Sequence, residues 1–301
     1  MTSRVRLAFT VVRIVTHILL AAFLVATAFP FLPAERHRRL VRWWSRGVLR
    51  IFRIDLRVID HATDLHVHQA MRPGGIGAML VMNHISWLDI YIVHATRAAR
   101  FVAKSEISRW PLLGFLTDRT GAIFIERGRR HAVREVNHRV ADLLRSGELI
   151  ALFPEGTTSE GDRLLPFHAN LIQPAIDAGA PIVVAGLRYR EVGGGPTTAT
   201  SYVGDTTLLE SIVRIARHGP LVAELHLIEA IDGRTTTRHA VARRARARIA
   251  ATLELEDEAH EVLEALSTVV VSPDDENVMR PDAALAGIRP GTPLDPRDEL
   301  L

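Results

Sequence analysis

Seven short apolar runs, rich in Val, Ile, Leu and Ala, limit what this chain can fold into. The runs begin at residues 56, 78, 100, 122, 149, 181 and 223 and are typical of β-strands. Helical patterns separate several of them, and the clearest, residues 130–147, places Val133, Val136 and Val140 on one face. This alternation predicts an α/β fold: a single domain over residues 55–255 with a largely parallel or mixed central sheet flanked by helices.

The N-terminal segment, residues 7–32, is apolar and long enough either to span a bilayer or to lie within one. Arg13 and His17 interrupt it, so it is an imperfect transmembrane helix. A cleaved signal peptide is the alternative, because arginines precede the apolar run and the Ala26–Ala28 stretch resembles a cleavage site. We expect a retained anchor, since a charge inside the apolar region and the basic residues beyond it are unlike a signal peptide.

A basic amphipathic stretch follows directly. At helical spacing, Trp43, Trp44 and Val48 lie broadly together, and most of the arginines lie elsewhere around the helix. This pattern predicts an interfacial helix on anionic lipid, with a soluble helix that packs its aromatic residues on the core as the alternative. Residues 1–54 are therefore interpreted as membrane-associated helices that precede the domain. Their basic residues favour the cytoplasmic face of the inner membrane for the rest of the chain.

The composition excludes several kinds of chemistry. The 301 residues include no cysteine, which excludes disulfides, thiolate metal ligands and a cysteine nucleophile. Among 37 Lys and Arg residues there is one lysine, Lys104, which makes it a candidate for specific chemistry, with compositional chance as the alternative. Residues 256–301 are predicted to form a C-terminal helix followed by a disordered tail rich in proline and acidic residues.

A histidine and an aspartate follow the second apolar run, in the sequence NHISWLD. An irregular entry into a helix would let the carboxylate of Asp89 reach back to one ring nitrogen of His84. That contact fixes the tautomer, so the other nitrogen accepts a proton and the pair becomes a general base. The alternative is a helix cap beside a surface histidine.

Two further loops carry polar groups after apolar runs. In FPEGTTS, Glu155 lies at a turn rich in hydroxyls and backbone donors, which suits a phosphate or another polar head group. In GAIFIERG, a predicted strand delivers Glu126 and Arg127, and an arginine there could bind phosphate bidentately. An ordinary strand-to-helix turn and a surface salt bridge are the respective alternatives.

The segments NHISWLD, GAIFIERG, FPEGTTS and APIVVAGL, in this order and spacing, resemble the four sequence blocks of the glycerolipid acyltransferase family. The resemblance covers residues 75–190. It implies that His84 deprotonates an acceptor hydroxyl as this attacks an acyl thioester, with Asp89 orienting the imidazole. It also implies a lysolipid acceptor, with acyl-CoA or acyl carrier protein as the donor substrate, and we expect neither a cofactor nor a metal. Because the base must be unprotonated, activity should fall in acid.

The same resemblance assigns an acceptor site to the remaining blocks. The residues that it places there are Gly121, Arg127, Glu155, Gly156, Thr157 and Thr158. Lys104 is close enough in sequence to join them in a cationic pocket, which is our hypothesis.

One position departs from the family pattern, because Thr158 occupies a place where the family commonly has arginine. A head-group contact is therefore missing or supplied elsewhere. Relatives that acylate lyso-ornithine lipids look similar in this form. The expected acceptor is 1-acyl-sn-glycerol-3-phosphate, which would give phosphatidic acid, and a lyso-ornithine lipid is the alternative.

Other classes of function fit less well. A lipid hydrolase could use the same His–Asp pair, with Ser86 as nucleophile, but no oxyanion-hole sequence of the α/β-hydrolases is evident. The histidines of HATDLHVH lack further metal ligands at recognisable spacing. The arginines interleave with apolar residues beside the anchor, so a membrane surface is expected and nucleic acid is not. A non-catalytic protein that shapes membranes would need the same N-terminal helices without the His–Asp pair.

Overall fold

The computed structural model describes residues 3–61, 77–105, 121–125 and 130–255, together with residues 114 and 119. Its strands are β1 (Ile54–Asp60), β2 (Ala78–Met82), β3 (Arg100–Lys104), β4 (Ile123–Ile125), β5 (Leu149–Leu152), β6 (Pro181–Glu191) and β7 (Leu221–Asp232). Its helices are α1 (Ser3–Thr27), α2 (Ala34–Phe52), α3 (Leu88–Thr96), α4 (Arg130–Arg145), α5 (Gln173–Ala178), α6 (Leu208–His218) and α7 (Arg238–Leu253). All seven predicted strands are present.

The described strands form one mixed sheet in the order β1-β7-β6-β2-β5-β3-β4. Only the β6–β7 pair is antiparallel within this sheet, and the other neighbours are parallel. The predicted α/β fold with a largely parallel or mixed sheet is therefore confirmed. Strands β2, β5 and β6 consequently end at one edge of the sheet, which we call the carboxyl edge.

Both faces of the sheet are covered by helices. One face packs against α2, α3 and α6 and the other against α4, α5 and α7. Every residue of β2 and β5 is buried, as expected for central parallel strands, whose sequences are continuous apolar runs. The packing is tight where α7 crosses β6, because a Cβ at Gly186 would lie 3.1 Å from a side-chain atom of Leu253.

The apolar N-terminal segment forms one continuous helix, α1, which packs against α2 and α6. The His17 ring stacks on the Trp44 ring at 5.5 Å, and its Nε2 lies 2.9 Å from the Trp44 carbonyl oxygen. Within the described residues one stretch, Leu7–Thr27, is long and apolar enough to cross a membrane. Among the exposed apolar side chains of α1, five lie along one stripe: Val5, Phe9, Val12, Leu19 and Phe23. The predicted C-terminal tail, residues 256–301, lies outside the described residues.

A buried histidine on α3 contributes to the acid sensitivity of this fold. His94 on α3 is 7 % exposed, and its ring makes an edge contact with Phe101 at 5.1 Å. Burial lowers the pKa of His94 from 6.5 to about 4. The native state therefore binds fewer protons than the unfolded state between these values, and the free energy of unfolding falls as pH drops through that window.

We predict that His94→Gln reduces this acid sensitivity. Between pH 7.5 and pH 5 the wild type should lose about 1–2 kcal/mol more stability than the variant does. Urea unfolding at the two pH values measures the difference. His138→Gln, at an exposed position on α4, is the control and should behave as the wild type. An equal loss in all three proteins would contradict the assignment.

Candidate active site

The candidate site lies at the carboxyl edge, where the loops that follow β2 and β5 meet. The two strands are parallel neighbours, with Val81 opposite Leu152, so their ends lie side by side. The amide side chain of Asn83 holds the first loop against β6, because it donates to the Leu187 carbonyl (2.8 Å) and accepts from the Leu187 N–H (2.7 Å). Because β2 and β5 are neighbours, the loops that follow them are brought into contact although they are far apart in sequence.

His84 and Asp89 are in direct contact. The Nδ1 of His84 lies 2.8 Å from the Oδ2 of Asp89, which is fully buried in the first turn of α3. The same oxygen accepts the backbone N–H groups of Ile85 (2.7 Å) and Ser86 (2.9 Å). Because a carboxylate only accepts, Nδ1 of His84 carries the hydrogen, and Nε2 is left as a proton acceptor. The imidazole is 19 % exposed, so a substrate can reach it.

A tyrosine from β6 supports the aspartate. Strand β6 continues beyond the end of β2, and the Tyr189 hydroxyl donates to the Oδ1 of Asp89 at 2.7 Å. Burial, together with the charge of Asp89, raises the pKa of Tyr189 well above its ordinary value, so the hydroxyl keeps its proton. The sequence analysis missed this residue. The one sequence feature that could have indicated Tyr189 is its position near the end of the apolar run that begins at residue 181 and forms β6, the neighbour of β2.

The loop after β5 holds His84 from a second side. The Phe153 ring lies flat against the imidazole, with 3.8 Å between the ring centroids and 5° between the planes. Glu155 is 3 % exposed, and its Oε1 accepts the backbone N–H of His84 at 2.7 Å. Its Oε2 accepts the backbone N–H of Leu165 at 3.0 Å. Burial raises the pKa of Glu155 from 4.5 to about 7. Both carboxylate oxygens are thus turned toward the protein backbone.

Thr158 of this loop contacts a third segment, residues 197–206 between β6 and α6, which we call the strap. The Thr158 hydroxyl donates to the Tyr202 carbonyl, and the Tyr202 N–H donates to the Ile85 carbonyl at 3.0 Å. Gly156 has a left-handed backbone (φ 68°), and Thr157 is exposed. The strap therefore links the His84 loop to the Glu155 loop.

Two other predicted site residues, Gly121 and Lys104, lie on the β3–β4 side of the sheet. Gly121 precedes β4 with φ 83°, and its carbonyl accepts from the Nη1 of Arg100 at 3.3 Å. Lys104 is the last residue of β3 and pairs with Ile125, so it lies at the same edge of the sheet as His84. Glu126 and Arg127 lie outside the described residues, as does most of HATDLHVH. Nothing in the described part of the chain gathers three His, Asp or Glu side chains that could hold a metal ion.

Comparisons with known proteins agree with this architecture. A family model described as Acyltransferase matches residues 64–188, which include His84, Asp89 and Glu155. The chain is 38 % identical over 187 residues to the 1-acyl-sn-glycerol-3-phosphate acyltransferase of Neisseria meningitidis, with 62 % of this chain and 69 % of that protein covered. It is 33 % identical over 208 residues to the lyso-ornithine lipid O-acyltransferase of Pseudomonas aeruginosa. This match covers 69 % of this chain and 76 % of that protein.

A solved structure has the same fold. The crystal structure of the 1-acyl-sn-glycerophosphate (LPA) acyltransferase PlsC from Thermotoga maritima matches with a TM-score of 0.60 and 14 % sequence identity. The match covers 84 % of this chain and 97 % of that one. At this level of identity the likeness shows the fold alone.

We predict that Tyr189→Phe lowers the free energy of unfolding by about 1–3 kcal/mol, because the buried Oδ1 of Asp89 loses its hydroxyl donor. Chemical denaturation measures this change. Tyr91→Phe is the control, since Tyr91 packs its ring between Trp44 and Trp87 at centroid distances of 5.4 and 5.7 Å. A loss at Tyr189 no larger than that at Tyr91 would contradict a supporting role for the Tyr189 hydroxyl.

Proposed function

The chain belongs to the acyltransferase family that includes the 1-acyl-sn-glycerol-3-phosphate acyltransferases, and on this premise we propose that it acylates a lysolipid. It moves a fatty acyl group from an acyl thioester, either acyl-CoA or acyl carrier protein, to the free hydroxyl of the acceptor. The observation that carries the proposal is the 2.8 Å contact between His84 and a fully buried Asp89. The reaction requires no cofactor.

His84 acts as the general base in this proposal. Its Nε2 takes the proton of the acceptor hydroxyl while the oxygen attacks the thioester carbonyl, and Asp89 holds the hydrogen on Nδ1. A carbon–oxygen bond forms, the carbon–sulfur bond breaks, and the leaving sulfur takes the proton from His84. Transfer is direct and needs no acyl-enzyme, which fits a chain without cysteine.

The proposed acceptor is 1-acyl-sn-glycerol-3-phosphate, and the product is then phosphatidic acid. The similarity to the Neisseria meningitidis enzyme supports this choice. Since Thr158 replaces the arginine that the family commonly has, we assign the phosphate contact to Lys104 and Arg127, with Gly121, Gly156 and Thr157 shaping the pocket. Lys104 belongs to the β3–β4 side of the carboxyl edge.

A lyso-ornithine lipid is the second candidate acceptor. The Thr158 hydroxyl is bonded to the Tyr202 carbonyl, so this position offers the head group no positive charge. The similarity to the Pseudomonas aeruginosa enzyme, which covers 76 % of that protein, supports the same candidate.

The N-terminal helices bind the membrane in this proposal. The exposed apolar stripe of α1 enters the lipid, and α2 presents its exposed Arg36, Arg39, Trp43, Arg46 and Arg50 to anionic head groups. Because His17 is packed against Trp44, we propose that α1 lies along the membrane surface and does not cross the bilayer. The basic helix favours the cytoplasmic face of the inner membrane. We propose no nucleic-acid partner.

We predict that His84→Ala reduces acyl transfer by at least about 10³-fold. Membranes that carry either protein are offered lysophosphatidate and lyso-ornithine lipid in parallel, with a long-chain acyl-CoA or acyl carrier protein as donor. His84-dependent transfer to lysophosphatidate supports the first acceptor, and transfer to the ornithine lipid alone supports the second. Transfer that survives in the variant would contradict the role of His84, and no transfer by the wild type to either lipid would contradict the proposed function.

We also predict that Phe9→Ser combined with Phe23→Ser weakens binding to vesicles of phosphatidylglycerol and phosphatidylcholine by at least about tenfold. Both rings are largely exposed in the α1 stripe, at 58 % and 63 %. Sedimentation with vesicles measures the binding. Val58→Ser, at an exposed apolar position on β1, is the matched control and should bind as the wild type. Unchanged binding of the double variant would contradict membrane contact through α1.

A further inference from the structure

Glu155 links three parts of the candidate site. Its Oε1 accepts the His84 N–H at 2.7 Å, and its Oε2 accepts the Leu165 N–H at 3.0 Å. The side chain is only 3 % exposed, and both of its oxygens point to backbone donors. Phe153, two residues earlier in the same loop, stacks on the imidazole of His84. The loop after β5 therefore contacts His84 twice: Glu155 accepts its backbone N–H, and Phe153 stacks on its ring.

We propose that Glu155 is a positioning residue, whose ionised carboxylate fixes the backbone of His84 so that the imidazole meets the acceptor hydroxyl in the right orientation. This inference rests on the proposed function and assigns Glu155 a role different from contact with the acceptor. Protonation of Glu155 then slows acyl transfer.

The two protonation states of Glu155 differ in how well they accept hydrogen bonds from the backbone N–H groups of His84 and Leu165. An ionised carboxylate accepts two N–H groups at full strength, one on each oxygen. A protonated carboxyl has one hydroxyl oxygen, which is a donor and a poorer acceptor, so one of the two backbone bonds weakens. The loop that carries His84 is then free to shift relative to Asp89 and Phe153. A displacement of about 1 Å in a catalytic group can reduce the rate about 100-fold.

The surroundings of Glu155 place this change near neutral pH. Burial raises its pKa to about 7, the charge of Asp89 on α3 acts in the same direction, and Arg246 on α7 acts against it. The backbone bonds to His84 and Leu165 also favour the ionised form. His84 itself is the other titratable group that this loop faces.

The contribution of Glu155 to stability and its contribution to activity should therefore respond to pH in opposite directions. Since the pKa of Glu155 is higher in the native state than its ordinary value of 4.5, the native state binds more protons than the unfolded state between pH 4.5 and about 7. The contribution of Glu155 to the free energy of unfolding thus falls as pH rises through this window. The proposed activity rises over the same window. Such opposition is typical of residues that are kept for function at a cost in stability.

The test compares the wild type with Glu155→Gln, and Glu135→Gln, at an exposed position on α4, is the control. The carboxamide can still accept from His84, but its NH2 group faces the Leu165 N–H. We expect kcat at pH 8 to fall about 10- to 100-fold and KM for the lysolipid to change less than about twofold. Between pH 5 and pH 8, the unfolding free energy of the variant relative to that of the wild type should rise, because the variant lacks the contribution of Glu155. The control should match the wild type in all of these measurements.

A measurement on the wild type alone covers the case in which Glu155→Gln does not fold. With 15N-leucine labelling, the amide resonance of Leu165 should shift with a midpoint near pH 7. A Leu165 resonance that does not move between pH 5 and pH 9 would overturn the proposal.

Two kinetic results would also overturn it. A raised KM with an unchanged kcat would mean that Glu155 contacts the acceptor. A wild-type pH profile in Glu155→Gln would mean that its ionisation does not matter. An inactive wild type would contradict the proposed function itself, whereas an active wild type with an equally active Glu155→Gln contradicts only the positioning role.

Discussion

The buried carboxylate of Asp89 is the interaction on which the candidate site depends. It accepts hydrogen bonds from the His84 ring, two backbone N–H groups and the Tyr189 hydroxyl. A fully buried carboxylate is stable only when such donors compensate its lost hydration. Four donors, three from the loop after β2 and one from β6, therefore have to converge on it. The same convergence fixes the imidazole tautomer, so the requirement for stability and the requirement for a general base are met by one set of contacts.

The order of the strands supplies the second constraint. Because β5 lies directly beside β2, the loop that carries Phe153 and Glu155 lies against the loop that carries His84. Tyr202 of the strap is hydrogen-bonded to both loops, to Ile85 in the first and to Thr158 in the second. On the opposite side of the molecule from α4, α5 and α7, the helices α1 and α2 lie against the domain. His84 is held between two loops of the carboxyl edge.

The sequence predicts most of the fold and the centre of the site, because both depend on local patterns. Continuous apolar runs reveal buried strands, and the five-residue spacing of His84 and Asp89 lies within the reach of one helix entry. Tyr189, Phe153 and the strap were missed because their contacts join residues about 40 to 100 positions apart, which no local pattern encodes. Glu155 was found as a turn residue, but its burial depends on how β2 and β5 pair. The contact of His17 with Trp44, on which the proposed placement of α1 rests, is equally non-local.

The measurement that tests the central claim most directly is acyl transfer to a lysolipid by Asp89→Asn, with a folded protein verified by its unfolding transition. Asparagine has nearly the shape of aspartate, but it carries no charge, and its NH2 group cannot accept a hydrogen bond. If Asp89 holds His84 as a general base, kcat should fall about 10²- to 10⁴-fold while KM for the acceptor stays within about twofold. Transfer within a few-fold of the wild type would contradict the assignment of His84 and Asp89 as the catalytic pair.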